Sequence, residues 1–301
     1  MASPDVPANP EIIIGVLPIM AQAPAAQVSQ QLNAVANWFS AVSQHRCHLS
    51  FTILPAILPQ RPISYFAIAG GMGPPPQNSQ SLVRAALDQL EPESLGKLAQ
   101  VQSHLLAIAT GPIKPHTWHL LGGGKWLGQK VWCNRYAIIQ PDASLGTIAH
   151  ELGHLLFNWP DLIWEKRLAD ECLMAWGALG TYGKQPSPPC GPLRVQMGWC
   201  DTVYLHPSDP VIKLTFSKVG LFRWHQIEWL IEYRSEPRPR LLLYRSHGKN
   251  PGTHPKILGR IFLEKEDFGK SVVGLVASHL RKTVREHSNC KFNARRAFQP
   301  L

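Results

Sequence analysis

Apolar positions recur along the chain in two rhythms, and the change from one to the other marks the elements. Ile12 to Met20 (IIIGVLPIM) is a short, β-branched apolar run bounded by Pro10 and Pro24, the pattern of a buried first strand. Val28, Leu32, Val35, Phe39 and Val42 then return every three or four residues, which predicts a helix from about Ala25 to Gln44 with one buried stripe. HLSFTIL from His48 reads as a strand ended by Pro55, GGMGPPP from Gly70 as a turn-rich loop, and Ser81 to Leu90 as a second helix. Ser103 to Thr110 and Val131 to Ile139 are strand-like, and GPIKPHTWHLLGGGKWLGQK between them is too long for a simple connection. Leu145, Ile148, Leu152 and Leu155 carry a further helix, with Asp142 or Ser144 as its cap.

From Val203 onward the rhythm shortens. VIKLTF, HQIEWLIEYR, RLLLYRS and ILGRIFLEK read as strands, followed by a helix around Val272 to His287. The expected organisation is an α+β chain: a domain over 1–205 that mixes strands with helices, then a smaller β-rich subdomain over 206–301 ending in a helix.

Charge sharpens that boundary. Residues 1–205 carry 12 basic against 12 acidic side chains, whereas 206–301 carry 18 against 8, so the whole formal excess of +10 lies in the last third. Such a segment favours an acidic partner. No base-stacking or groove-reading motif accompanies it, which argues against nucleic acid. With 45% hydrophobic and 17% charged residues and ten Trp, the composition is that of an ordered globular protein.

No apolar run reaches the 18 residues of a membrane span. IIIGVLPIM followed by AQAP imitates a secretion signal, yet Asp5 and Glu11 put negative charge where such a signal needs positive, and no Lys or Arg precedes Arg46. The expected location is therefore cytoplasmic. The six cysteines form no C-x-x-C pair, and free buried thiols are expected. GGGK at Gly122 to Lys125 lacks the spacing of a phosphate loop.

The chemistry concentrates in HELGHLLFNWPDL, His150 to Leu162. His150 and His154, four apart, share one helix face and can reach one ion from one rigid element. Zn²⁺ suits imidazole and carboxylate ligands and leaves a fourth position open, while Glu151 beside the first histidine is placed to act as general base. In metzincins a Gly three residues after the second histidine breaks the helix and brings a third ligand back to the metal. Here Phe157 occupies that Gly position and Pro160 the ligand position. Asn158 is the best non-glycine residue for a left-handed helix end, Trp159 is pushed to extended geometry by Pro160, and Asp161 then offers a carboxylate one residue late. Glu165, Asp170 and Glu171 are the alternatives to Asp161. Met174, twenty residues after His154 in a turn-like context, is the candidate turn methionine. His116, His119 and Tyr182 lie in loops near the motif and are candidate oxyanion donors.

AHELGHLLFNWPDL, CLMAWG and RVQMGWCDTVYL, with ANWFSAVSQHRCHLSF before them, resemble in order the motifs of the immune inhibitor A-like family of secreted bacterial metallopeptidases. The likeness spans about Glu11 to Leu205 well and the rest thinly. It implies a metzincin-like mixed twisted sheet with an active-site helix, and a zinc endopeptidase acting on peptide or protein substrates. By position it makes His150, His154 and Asp161 metal ligands, Glu151 the general base and Met174 the turn methionine. It also implies secretion, against the reading of the N-terminal segment.

Overall fold

The computed structural model describes residues 11–19, 25–62, 65–66, 77–100, 104–111, 113–120, 124–126, 129–131, 135–166, 168–206, 214–224, 227–235, 238–245, 256–264, 267, 270–272, 274–276 and 278–279. GGMGPPP and the basic stretch RKTVREHSNCKFNARR lie outside them, as do Cys133 and Cys290. The chain divides into two compact units, 1–189 and 190–301.

The first unit is built on a mixed five-stranded sheet. Its strands are β1 (Ile12–Ile19), β2 (Leu49–Ile53), β3 (His104–Ala109), β4 (His116–His119) and, after the small hairpin β5 (Gly124–Trp126) and β6 (Gln129–Val131), β7 (Arg135–Ile139). The order is β2-β1-β3-β7-β4; the first four run parallel and β4 is antiparallel at the edge. Parallel strands buried on both faces need continuous apolar runs, which is why IIIGVLPI and HLLAIA read so plainly.

Alternation then sorts the side chains. Leu17, Ile19, Leu105, Ala107, Tyr136 and Ile138 pack on one face with Leu82, Val83, Leu87, Leu95 and Leu98 from α2 (Gln77–Leu87) and α3 (Pro92–Gln100). The opposite face, with Ile14, Val16, Leu106, Ile108, Ala137 and Ile139 buried, belongs to α1 (Ala25–Val42) and α4 (Leu145–Phe157), which pack on each other and, for α4, on β7 and β4. The second helix thus lies ahead of the expected Ser81–Leu90, and α3 follows it.

The second unit holds α5 (Gly191–Gln196) and a second mixed sheet, β12-β11-β10-β9-β8, antiparallel except for the β8–β9 pair. Its strands are β8 (Asp201–Tyr204), β9 (Lys218–Trp224), β10 (Ile227–Arg234), β11 (Arg240–Arg245) and β12 (Lys256–Phe262). Because β8 pairs with β9, the compact unit begins ahead of the charge change near Leu205. Leu214 to Phe216, expected as part of a strand, form no strand; Leu214 instead sits in the core with Ile231, Leu241, Leu243, Val272 and Val276. No helix among the described residues is long and apolar enough to cross a membrane.

Candidate metal centre

The helix that carries the motif is fixed at both ends. Ser144 is its cap, with extended backbone and a side-chain oxygen that accepts the Thr147 N–H at 3.2 Å. A second free N–H of the first turn, from Gly146, donates to the Gly183 carbonyl at 2.8 Å. At the other end Asn158 adopts the left-handed conformation, φ 53° and ψ 32°, and its N–H donates to Gly153 O. Trp159 is then buried against Phe157, their ring centroids 4.8 Å apart. The chain has reversed, and Asp161 comes back to the helix it has just left.

That reversal brings three acceptor atoms together. His150 Nε2 lies 3.1 Å from His154 Nε2, and Asp161 Oδ1 lies 3.2 Å from the first and 3.4 Å from the second. Among the described residues these three form the group able to hold a metal ion. Glu165, Asp170 and Glu171 are not part of it. Asp161 is half exposed, whereas both imidazoles are largely covered, so the cluster opens towards solvent on the carboxylate side.

The far side of each imidazole fixes its neutral tautomer. His150 Nδ1 faces Leu173 O at 3.0 Å, and His154 Nδ1 faces Trp159 O at 2.6 Å. A carbonyl oxygen can only accept, so each neutral ring carries its hydrogen on Nδ1. Both Nε2 atoms then present lone pairs to each other and to a carboxylate. Three acceptors in a triangle repel unless a cation or a proton lies among them. Tetrahedral zinc with bonds of about 2.0–2.1 Å separates its ligand atoms by about 3.3 Å, and the three observed edges fit that ion. Without it, the proton takes the cation's place. Burial alone would lower the proton affinity of His150, but Asp161, Glu151 and the Leu173 carbonyl outweigh burial and raise it. The same two histidines hold the Asp161 carboxyl well below the usual carboxylate range.

Glu151 is buried on the helix beside His150. Burial raises its proton affinity, against the opposing pull of the two histidines and of Thr117. Thr117 Oγ1 lies 2.9 Å from Glu151 Oε2 and 2.8 Å from Glu151 O.

Met174 is fully buried beneath the helix. A Cβ on Gly153 would come within 2.8 Å of Met174 Sδ and 2.9 Å of Trp159 Cε3, so the central glycine of HELGH is what admits both side chains. The same turn serves the site through its backbone: Leu173 O receives His150, and Met174 O receives the Leu162 N–H at 2.7 Å, tying down the segment that carries Asp161.

The oxyanion candidates fare differently. His116 turns to the opposite face of the sheet, with Nε2 2.9 Å from Ser79 Oγ and Nδ1 2.8 Å from Lys114 O, so both its nitrogens are engaged away from α4. His119 is exposed at the end of β4, and Tyr182 is 93% exposed on a turn that packs against the start of α4. Two residues of the site escape sequence reasoning. Thr117 sits in the long loop, where HTWH has no apolar alternation to announce a strand, and Arg135, whose Nη2 donates to His154 O at 2.8 Å, looks like an ordinary strand start.

No family model matches the chain, and no curated protein matches it in sequence. The immune inhibitor A-like resemblance therefore rests on the quoted motifs alone, and membership of that family is not shown. Among solved structures, metalloproteinase-II from Bacteroides fragilis is similar with a TM-score of 0.37 and 13% identity, over 63% of this chain and 52% of that one.

Proposed function

We propose that this chain is a zinc-dependent endopeptidase whose metal is held by His150, His154 and Asp161 and whose general base is Glu151. The observation that carries the reading is the triangle of three facing lone pairs with a buried carboxylate beside it. A purely structural zinc site closes with four protein ligands and needs no base. Here the described residues supply three, and Asp161 leaves the cluster open to solvent.

Zinc bound there supplies Lewis acidity, polarising a carbonyl and acidifying water. The chain's own residues do the rest. Glu151 accepts the proton of the attacking water and returns it to the leaving amine, and the burial that raises its proton affinity favours the first of these transfers. The Nδ1–H bonds to Leu173 and Trp159 keep both imidazoles in the tautomer that presents Nε2. Peptide is the favoured substrate class because β4, the edge strand, lies directly beside Glu151 and can pair with an extended backbone.

Cleavage of a mixed peptide library by the zinc-loaded protein, read by mass spectrometry, tests this. Wild type is expected to cleave, and Glu151→Gln to keep one zinc per chain while losing about 10²- to 10⁴-fold in rate. A wild type that holds one zinc and cleaves nothing overturns the reading.

A further inference from the structure

We infer that Thr117 is a positioning residue for the general base, an inference that rests on the peptidase reading above. Thr117 lies in the middle of β4, paired with Ala137 of β7, and its side chain faces α4. Its hydroxyl has a single hydrogen to share between two oxygens of one residue, Glu151 O at 2.8 Å and Glu151 Oε2 at 2.9 Å. A helical glutamate ordinarily swings about three side-chain torsions. A donor placed equally close to its carbonyl and its carboxylate ties the end of that side chain to its own backbone. With one carboxylate oxygen anchored, proton exchange falls to the other.

The donor itself is unusually well fixed for an edge strand. On one side of it, His116 is locked to the opposite face of the sheet through Ser79, whose hydroxyl also meets the buried Tyr136 OH at 2.6 Å. On the other side, Gln80 Nε2 donates to His119 O at 2.8 Å. The strand is thus pinned from α2 at both flanks while Thr117 grips α4 from the other face. Threonine's branching restricts its first torsion further, so the hydroxyl holds its place. An edge strand needs no such anchorage merely to complete a sheet. The arrangement places a rigid donor against the one side chain whose orientation decides proton transfer.

Thr117→Val keeps shape and removes the hydrogen, and Thr117→Ser restores it. The valine variant is expected to lose about 10- to 100-fold in kcat with KM and zinc content unchanged, and the serine variant to recover most of that loss. An unchanged kcat in the valine variant, or a serine variant as impaired as valine, overturns the inference and leaves the peptidase reading standing. Thermal unfolding of the metal-free protein gives a readout independent of activity. Thr117→Val should lower Tm by about 3 °C more in the wild-type background than in Glu151→Met, where no carboxylate remains to be gripped. Equal shifts in the two backgrounds mean that the hydroxyl acts through the main-chain carbonyl alone, which also overturns it. If the wild type cleaves no peptide, the peptidase reading falls, and the unfolding cycle still decides whether Thr117 holds Glu151.

Discussion

Asp161 in the first unit and Glu232 in the second are both carboxylates set among basic side chains, and they are built for different ends. Glu232 is fully buried and its two oxygens are filled. Oε1 meets Arg194 at 2.5 Å and Arg234 at 2.7 Å, and Oε2 accepts the Gly191 N–H at 2.6 Å and the Tyr244 hydroxyl at 2.8 Å. Arg194 in turn stacks over Phe216 and donates to its carbonyl. Both oxygens of Glu232 thus meet complementary groups, and the result fastens α5 to β10. Asp161 instead meets two nitrogens that, in their neutral form, have only lone pairs to offer. A polar cluster that satisfies itself is architecture, whereas one that converges on like partners at ligand spacing is prepared for something else.

The same carboxylate-to-amide change should therefore cost very different amounts in the two places. Glu232→Gln leaves buried guanidinium groups without their counter-charge and is expected to destabilise the second unit by about 3–5 kcal/mol in denaturant unfolding. Asp161→Asn, at a half-exposed position, should cost no more than about 1 kcal/mol in the metal-free protein. If the two variants unfold alike, the contrast fails.

Acid separates the clusters as well. Burial alone would raise the Glu232 pKa, but Arg234 and Arg194, with Gly191 N–H and the Tyr244 hydroxyl, outweigh it and bring it below the ordinary 4.5. A depressed carboxyl contributes stability that is present above its unfolded value and lost as pH falls through its folded one, so this contribution survives to below the usual glutamate range. Zinc should leave the first unit much earlier. Protons compete for the same nitrogens, and the proton affinity of His150 is raised above its ordinary 6.5, so zinc affinity should weaken already near neutral pH. Zinc retention unchanged down to pH 5, followed by dialysis and metal analysis, would count against the ligand set.

Smaller effects probe the packing that shapes the site. Gly153→Ala pushes a methyl group against Met174 and Trp159 and should cost about 1–3 kcal/mol of stability, with weakened zinc binding because both imidazoles hydrogen-bond to the backbone of those neighbourhoods. Asn158→Ala strains the left-handed exit by about 1 kcal/mol, and Asn158→Gly should be neutral or slightly stabilising. An alanine variant as stable as the glycine variant would show that the exit does not depend on that backbone conformation.

The features legible in the sequence are those with a strong local cause. The interior strands β1 and β3 needed apolar runs, α1 and α4 needed a stripe, and the turn back to Asp161 needed one residue tolerant of positive φ followed by a proline-constrained neighbour. Asn158 and Pro160 state those needs outright. What escaped is non-local. HTWH becomes a strand only because β7 offers its edge, and Thr117 matters only because that pairing carries it to Glu151. β8 likewise has little apolar character and exists through parallel pairing with β9, while Leu214, at the described end of VIKLTF, has the apolar character of a strand residue because it is buried outside any strand.

In the proposed site a half-exposed aspartate, delivered by an asparagine helix exit, completes a set of three metal ligands. Calorimetric titration of the metal-free protein with Zn²⁺ tests it most directly, comparing wild type with Asp161→Ala and with Glu165→Ala and Asp170→Ala. One zinc per chain is expected in wild type and in the last two variants, with an affinity at least about 10-fold weaker in Asp161→Ala. Zinc uptake indifferent to Asp161, or lost instead with Glu165 or Asp170, would contradict it.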